Sequence, residues 1–271
     1  MIPSVPITIA AFNTATASSN KIHDDDVARS YGFGGGLVPG VDVFAYLTQP
    51  AAESWGADWL GAGRISARFA RPVYDGEVVT VDAEPTPGDE TMRVELRGPD
   101  DTIRATADVW RSTDGSAPDD SEPLPDVRPL PAQRPPASAA ALAPGTVLGS
   151  LHDRFDADAA TSYLDDVRDD GAPYREQRLA HPGWLLRRSN SVLAANIELG
   201  PWIHVASDVR FHAVVEDGDE IEVRAAVSGE FERGGHRFVT LDVALVAPDG
   251  GLVQRVTHTA IHTPRPAAGG I

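Results

Sequence analysis

His23 stands three residues after Asn20 and directly ahead of Asp24, Asp25 and Asp26, in the stretch SSNKIHDDDVARSYGFGGGLVPG that runs from Ser18 to Gly40. An imidazole titrates near neutral pH, so it can take a proton and return it. Ser18 is of a different kind: its hydroxyl can hydrogen-bond a water, but it is no general base at neutral pH unless activated. The three aspartates admit two readings. One could supply a carboxylate to the same site; the preferred reading is negative charge on the first turn of a helix. A metal site joining His23 to them is not expected, because adjacent residues on a helix point in different directions. Arg64, Arg68 and Arg71 follow at the head of a strand-like run, where residues 64 and 68 share a face. Guanidinium pairs well with phosphate, but it also balances aspartates, and the second role takes the larger share of the expectation.

The elements that must position these residues follow from periodicity. Residues 5–17 carry Ile, Thr and Phe in weak alternation and suit a first strand. VARSY, after the aspartates, reads as a short helix, and GFGGG at 32–36 is too rich in glycine for regular structure. From Gly40, VDVFAYLTQPAAESW has apolar residues at helical spacing until Pro50 weakens it. This predicts a mostly buried helix whose N-terminus points back at the glycine run. ADWLGAGRISARFARPV, GEVVTVDAEPT, TMRVELRG and IRATADVWRS then read as four strands. Between Thr113 and Pro144 the chain turns proline-rich and loses its periodicity, which predicts an extended linker on the surface.

The second half repeats the first. Arg68-Phe69 followed by Asp75-Gly76-Glu77 matches Arg210-Phe211 followed by Asp217-Gly218-Asp219, 142 residues on. Pro39-Gly40 matches Pro182-Gly183 at 143, and IRATADVWR matches VQRVTHTAIHT. One helix followed by several long antiparallel strands, twice over, argues for an α+β architecture with each sheet wrapped around its own helix. The expected units are 1–115, carrying the His23 stretch, a linker at 116–145, and 146–271 without an Asn-x-x-His pair.

Bulk composition narrows the function. The chain has 271 residues, 42% hydrophobic, no cysteine and a formal charge of −17, with Lys21 its one lysine. The cysteine count excludes disulfides, thiolate metal sites and a Cys nucleophile. The negative charge argues against nucleic acid and anionic membranes. No apolar run approaches a membrane span, and MIPSVPITIAAF lacks the basic n-region and length of a signal peptide, so a cytoplasmic location is expected.

The 18–40 stretch resembles the signature of the MaoC-like, (R)-specific enoyl-CoA hydratase family. Asn20, His23, Asp25, Ala28, Gly32, Phe33, Leu37, Val38 and Gly40 fall on it. Ser18 stands where that family has its catalytic Asp, Lys21 where it has Pro, and Pro39 where it has His. With the duplication, the resemblance implies a double hotdog fold, in which two fused hotdog units mimic a dimer; a monomer or a homodimer would serve. It implies an acyl-CoA or acyl-carrier thioester as substrate and no cofactor or metal. By the same resemblance His23 would be the acid/base, Asn20 would orient the loop, and the Gly40 N–H would receive the thioester oxygen. Thr48 matches a position where related hydratases place a Ser near the carbonyl. Arg64 and Arg68 become candidates for the phosphates of CoA, and Trp184, with Leu185, Leu193 and Trp202, for the acyl pocket. His204, His212, His258 and His262 lie in strand-like runs and are expected on exposed strand faces or as polar groups in the core, while His181 precedes Pro182-Gly183. Hydratase or dehydratase chemistry is preferred. A hotdog thioesterase, or a binding protein that lost its reaction with the carboxylate, stays open.

Overall fold

The computed structural model describes residues 6–86, 90–113, 115–118 and 120–266. Its strands are β1 (Ile7–Ala10), β2 (Arg64–Phe69), β3 (Val78–Pro85), β4 (Thr91–Arg97) and β5 (Ile103–Trp110), then β6 (Leu151–Arg154), β7 (Ile203–Phe211), β8 (Glu220–Arg233), β9 (His236–Val246) and β10 (Leu252–Thr263). The helices are α1 (Asp25–Ser30), α2 (Gly40–Ala62), α3 (Thr161–Val167), α4 (Ala172–Arg175) and α5 (Pro182–Asn196).

All ten strands join one sheet in the order β1-β3-β4-β5-β2-β7-β10-β9-β8-β6. The order is symmetric about β2 and β7, which pair antiparallel with Ser66 opposite Asp208. Those two residues are themselves 142 apart, so the repeat seen in the sequence becomes a two-fold-like relation whose axis passes between them. Alternation decides the faces. Val79 and Val81, Met92, Val94 and Leu96, and Ala105, Ala107 and Val109 are buried, while their neighbours along each strand are at least partly exposed.

Helix α2 is buried almost all round over residues 41–52, as expected of an apolar helix in the middle of a core. Phe44 and Leu47 are fully covered, and burying each such side chain contributes about 1.5–3 kcal/mol. The helix runs further than periodicity alone predicts. Pro50 lies inside it, and the residues ADWLGA, expected in a strand, complete it after a break at Gly56, whose φ is 57°. Packing accounts for the extension. Trp59 is buried edge-on against Phe211 at 5.1 Å, and its Nε1–H donates to the Trp110 carbonyl at 3.1 Å. That tertiary anchor holds the last turn although a proline and a glycine both weaken it.

Strand β1 is shorter than the expected 5–17, and residue 5 lies outside the described residues. Asn13 stops it: its N–H donates to Asp75 Oδ1 at 2.8 Å, and its own Oδ1 accepts from the Ala15 N–H at 3.0 Å, a side-chain turn that replaces ladder pairing. The proline-rich segment is largely exposed, but it does not merely lie on the surface. The Asp120 carboxylate accepts from Arg255 at 3.0 Å and from Arg210 at 3.1 Å, and Arg255 also donates to the carbonyls of Glu122 and Pro123. A buried guanidinium needs partners, and this segment supplies them. Among the described residues no helix is long and apolar enough to cross a membrane.

Candidate active site

The loop after β1 is tied to the second half of the molecule by Asn20. Its Oδ1 accepts from the N–H groups of Trp202 (3.1 Å) and Ile22 (3.3 Å), and its Nδ2 donates to the Trp202 carbonyl at 2.9 Å. The Ile22 contact caps the single 3-10 turn Lys21–His23 and sets the direction of the imidazole. His23 Nδ1 lies 2.7 Å from the Leu37 carbonyl. A carbonyl only accepts, so the proton belongs on Nδ1 and Nε2 keeps its lone pair. Asn20 Nδ2 donates to that lone pair over a long 3.3 Å. Burial pushes the His23 pKa down from 6.5; the Leu37 bond and the charge of Asp42 oppose that shift.

The aspartates hold this loop in shape. Asp24 caps α1 by accepting from the N–H groups of Asp26 and Val27. Asp25 accepts from the Gly36 N–H at 2.8 Å and pairs with Arg29 at 2.9 Å; first that N–H and then the guanidinium keep its carboxyl below the usual range. Gly36 must be glycine, because a Cβ there would sit 2.2 Å from the His23 carbonyl oxygen.

His23, Asn20 and Gly40 line one cavity of about 220 Å³. Gly40 opens α2 behind Pro39, which offers no side-chain cap, and the Gly40 N–H has no partner among the described residues. The rest of the lining includes Phe69 at the end of β2, Arg71 just beyond it, Trp202 and His204 at the head of β7, and Asn190 of α5. Arg71 is exposed at this cavity, and no ion pair to it is formed among the described residues. No Asp or Glu lines the cavity among the described residues, and none of them form a group of three or more His, Asp or Glu placed to hold a metal ion.

Five expected site residues lie outside that lining. Ser18 is half-buried, and its Oγ accepts from the Asn20 N–H at 3.1 Å, so it shapes the turn. Thr48 lies fully buried two turns into α2, donating to the Ala45 carbonyl at 2.7 Å. Arg64 and Arg68 project from the exposed face of β2: Arg64 lies over the Trp110 ring at 4.9 Å, and Arg68 pairs with Asp208 at 3.1 Å. Strand alternation put them on one face as expected, but that face is not the one toward the cavity. Trp184 packs edge-on to Phe155 at 4.9 Å and under Arg188 at 3.4 Å, ordinary packing on α5. Trp202, named with it, does reach the cavity.

His204 was expected on a strand as an exposed or core group; it is buried, 5% exposed, and also lines the cavity. Its ring meets Phe69 edge-on at 4.7 Å and stacks on His258 at 4.2 Å, with Ser207 Oγ bonded to both imidazoles. Burial lowers the pKa of both, His258 to about 3. Sequence reasoning missed this pair because their neighbours across the sheet, Ser207 and Ala206 facing His258 and Thr259, become visible only once β7 and β10 are in register.

No family model matches the chain, and no curated protein does. Solved structures do match in shape. A protein described as a MaoC domain dehydratase from Chloroflexus aurantiacus superposes with a TM-score of 0.62 at 12% identity, over 96% of this chain and 93% of that one. A Mycobacterium tuberculosis protein described as having a double hotdog fold gives 0.62 at 14% identity, over 96% of each chain. One described as an oleoyl thioesterase from Lactobacillus plantarum gives 0.53 at 12% identity, over 97% of this chain and 96% of that one. The symmetric ten-stranded sheet, its two long helices and these superpositions make the fold a double hotdog, with MaoC-like dehydratases among its structural neighbours.

Proposed function

We propose that the chain hydrates enoyl thioesters, or dehydrates the corresponding 3-hydroxyacyl thioesters, in the cavity at the head of α2. The observation that carries this reading is the pairing, on one cavity, of an unprotonated His23 Nε2, held only by a long bond from Asn20, with a helix N-terminus that has no partner among the described residues. His23 Nε2 is suited to take a proton from water, while the Gly40 N–H, at the positive end of α2, is suited to receive charge on the thioester oxygen as the enolate forms. The apolar walls, Phe33, Val43, Phe69 and Ile261 among them, suit an acyl chain, and Arg71, exposed at the cavity with no ion pair among the described residues, suits an anionic carrier. Similarity in fold to MaoC-like dehydratases points the same way.

A thioesterase reading draws support from the fold shared with proteins described as thioesterases, and a binding-only reading from the absence of a carboxylate among the described lining residues. One assay separates the three. With trans-2-butenoyl-CoA, wild type is expected to bleach the enoyl absorbance without releasing thiol, and His23→Ala to lose about 10²–10⁴-fold in kcat. Steady thiol release would establish the thioesterase instead. Binding with neither activity would leave only the acyl-binding role.

A further inference from the structure

We infer that the thioester is carried by coenzyme A and not by a carrier protein, with its phosphates on Arg71, His236 and Arg265 at the mouth of the cavity and its adenine on the stacked rings of Phe231 and Phe238. The inference rests on the thioester reading above and goes beyond it by assigning a nucleotide subsite to the β8–β9 hairpin, in place of Arg64 and Arg68, which face away from the cavity.

A cavity of about 220 Å³ has room for a thioester and a short acyl group, so the rest of a long handle must leave across the rim. Part of that rim is cationic, in a chain whose formal charge is −17. Arg71 is exposed there with no ion pair among the described residues. His236 also lines the cavity, and its Nδ1 accepts from the Arg265 N–H at 3.0 Å. With Nδ1 as acceptor the ring proton sits on Nε2, which has no partner among the described residues and is left as a donor. Arg265 is exposed and likewise forms no ion pair among the described residues. Its stem lies across the hairpin turn, where a Cβ on Gly235 would come within 3.0 Å of its Cδ. Two guanidinium groups and an imidazole N–H at one opening match the oxygens of phosphate groups.

The apolar lining continues past the rim. Ile203 stands opposite Ile261, Ile261 opposite Phe238, and Phe238 opposite Phe231. Residues paired directly across strands share a face, so these four form one apolar row over β7, β10, β9 and β8. The first two line the cavity, and the last is 43% exposed. The rings of Phe231 and Phe238 lie parallel, 2° between planes and 4.8 Å between centres, and the His236 ring meets Phe238 edge-on at 6.4 Å. The phosphate donors therefore adjoin an open aromatic platform, and such a platform stacks a base. This decides between the two handles. The arm of a carrier protein holds a phosphate but no base, whereas coenzyme A holds both.

The test compares trans-2-butenoyl thioesters of coenzyme A and of pantetheine, which lacks the phosphates and the base. Wild type should prefer the coenzyme A thioester by about 10²-fold in kcat/KM, and Phe231→Ala and Arg265→Gln should each cut that preference about tenfold. The preference is a ratio taken on one sample, so any loss of folded protein cancels. Calorimetric binding of adenosine 3′,5′-bisphosphate gives a readout that needs no turnover. Wild type should bind it, and both variants should bind it about tenfold more weakly. A wild type that binds the bisphosphate but turns over no enoyl thioester would keep this assignment and sink the hydratase reading. An active wild type that treats the two thioesters alike, prefers a carrier-bound butenoyl group, or fails to bind the bisphosphate would overturn the assignment and leave the hydratase reading standing. Unchanged affinity in Phe231→Ala would also overturn it, and a wild type that neither binds nor turns over would overturn both.

Discussion

At the head of α2 the first N–H group faces a cavity; at the head of α5, its counterpart in the repeat, the equivalent groups are already answered. His181 is buried, accepts from the Gly183 N–H through Nδ1 at 2.9 Å, and is bonded through Nε2 to Asp169 at 3.1 Å. Tyr163 and Tyr174 close around it, at 5.6 and 4.5 Å between ring centres. The two helices begin with the same Pro-Gly pair in nearly the same register, yet one start is a candidate anion site and the other is a plug. The difference lies in the residue that caps. Pro39 has nothing to offer α2, which forgoes the roughly 1 kcal/mol a side-chain cap provides, and that is the condition for an open site. His181 caps α5 and fills the space a ligand would need.

Substitutions at the two histidines give the sharpest contrast. His23→Ala is expected to lose about 10²–10⁴-fold in kcat while the melting temperature barely moves. His181→Ala should spare the rate per folded molecule but cost about 1–3 kcal/mol, because it strands the buried Asp169 carboxylate and uncaps α5. Equal losses of activity in both would break the distinction. The glycines should behave likewise on a smaller scale. Gly40→Ala sets a methyl group against His204 at 2.8 Å and beside the open N–H, so turnover should fall. Gly183→Ala would meet the Tyr163 hydroxyl and the Ala45 Cβ, where α5 crosses α2, and should destabilise by about 1–3 kcal/mol as overpacking does, read by thermal unfolding.

Acid should act on both functions through the neutral histidines. His23, His204 and His258 have folded pKa values below that of the unfolded chain, so between the unfolded value of 6.5 and the lower folded ones the unfolded state binds more protons. Their contribution to stability is thus present above 6.5 and declines as the pH falls below it. Melting temperatures measured from pH 7 to 4 should drop, and less steeply in His258→Gln. The acid limb of kcat/KM should lie below the ordinary histidine value, because hydration needs neutral His23. The smallest effect belongs to Ser18→Asp. The residue caps a turn outside the cavity lining, and a carboxylate can accept the same Asn20 N–H, so stability should stay within about 0.5 kcal/mol and the rate nearly unchanged. A large gain in rate would mean that position 18 reaches the water after all.

Much of the architecture was legible because it depends on period and order. Alternation marked β3, β4 and β5 and the matched blocks, and the apolar stretch from Val41 marked a buried helix. These properties are local, and burial enforces them along the chain. That Asn20, His23 and Gly40 belong together was legible through the resemblance of residues 18–40 to a known signature, which one short stretch of chain carries; the structure places all three on one cavity. The length of α2 was not, because Trp59 packs against Phe211, 152 positions away in the numbering, and that contact overrides Pro50 and Gly56. Nor were the roles of Arg64, Arg68, Thr48 and Trp184. Residue type and spacing told which of them share a face, but which face turns toward the cavity depends on how β2 meets β7 and how α5 lies on its sheet. His204 shows the limit most plainly. Its ring packs against Gly40 only because two half-molecules join along one antiparallel strand pair, and no local pattern encodes that meeting.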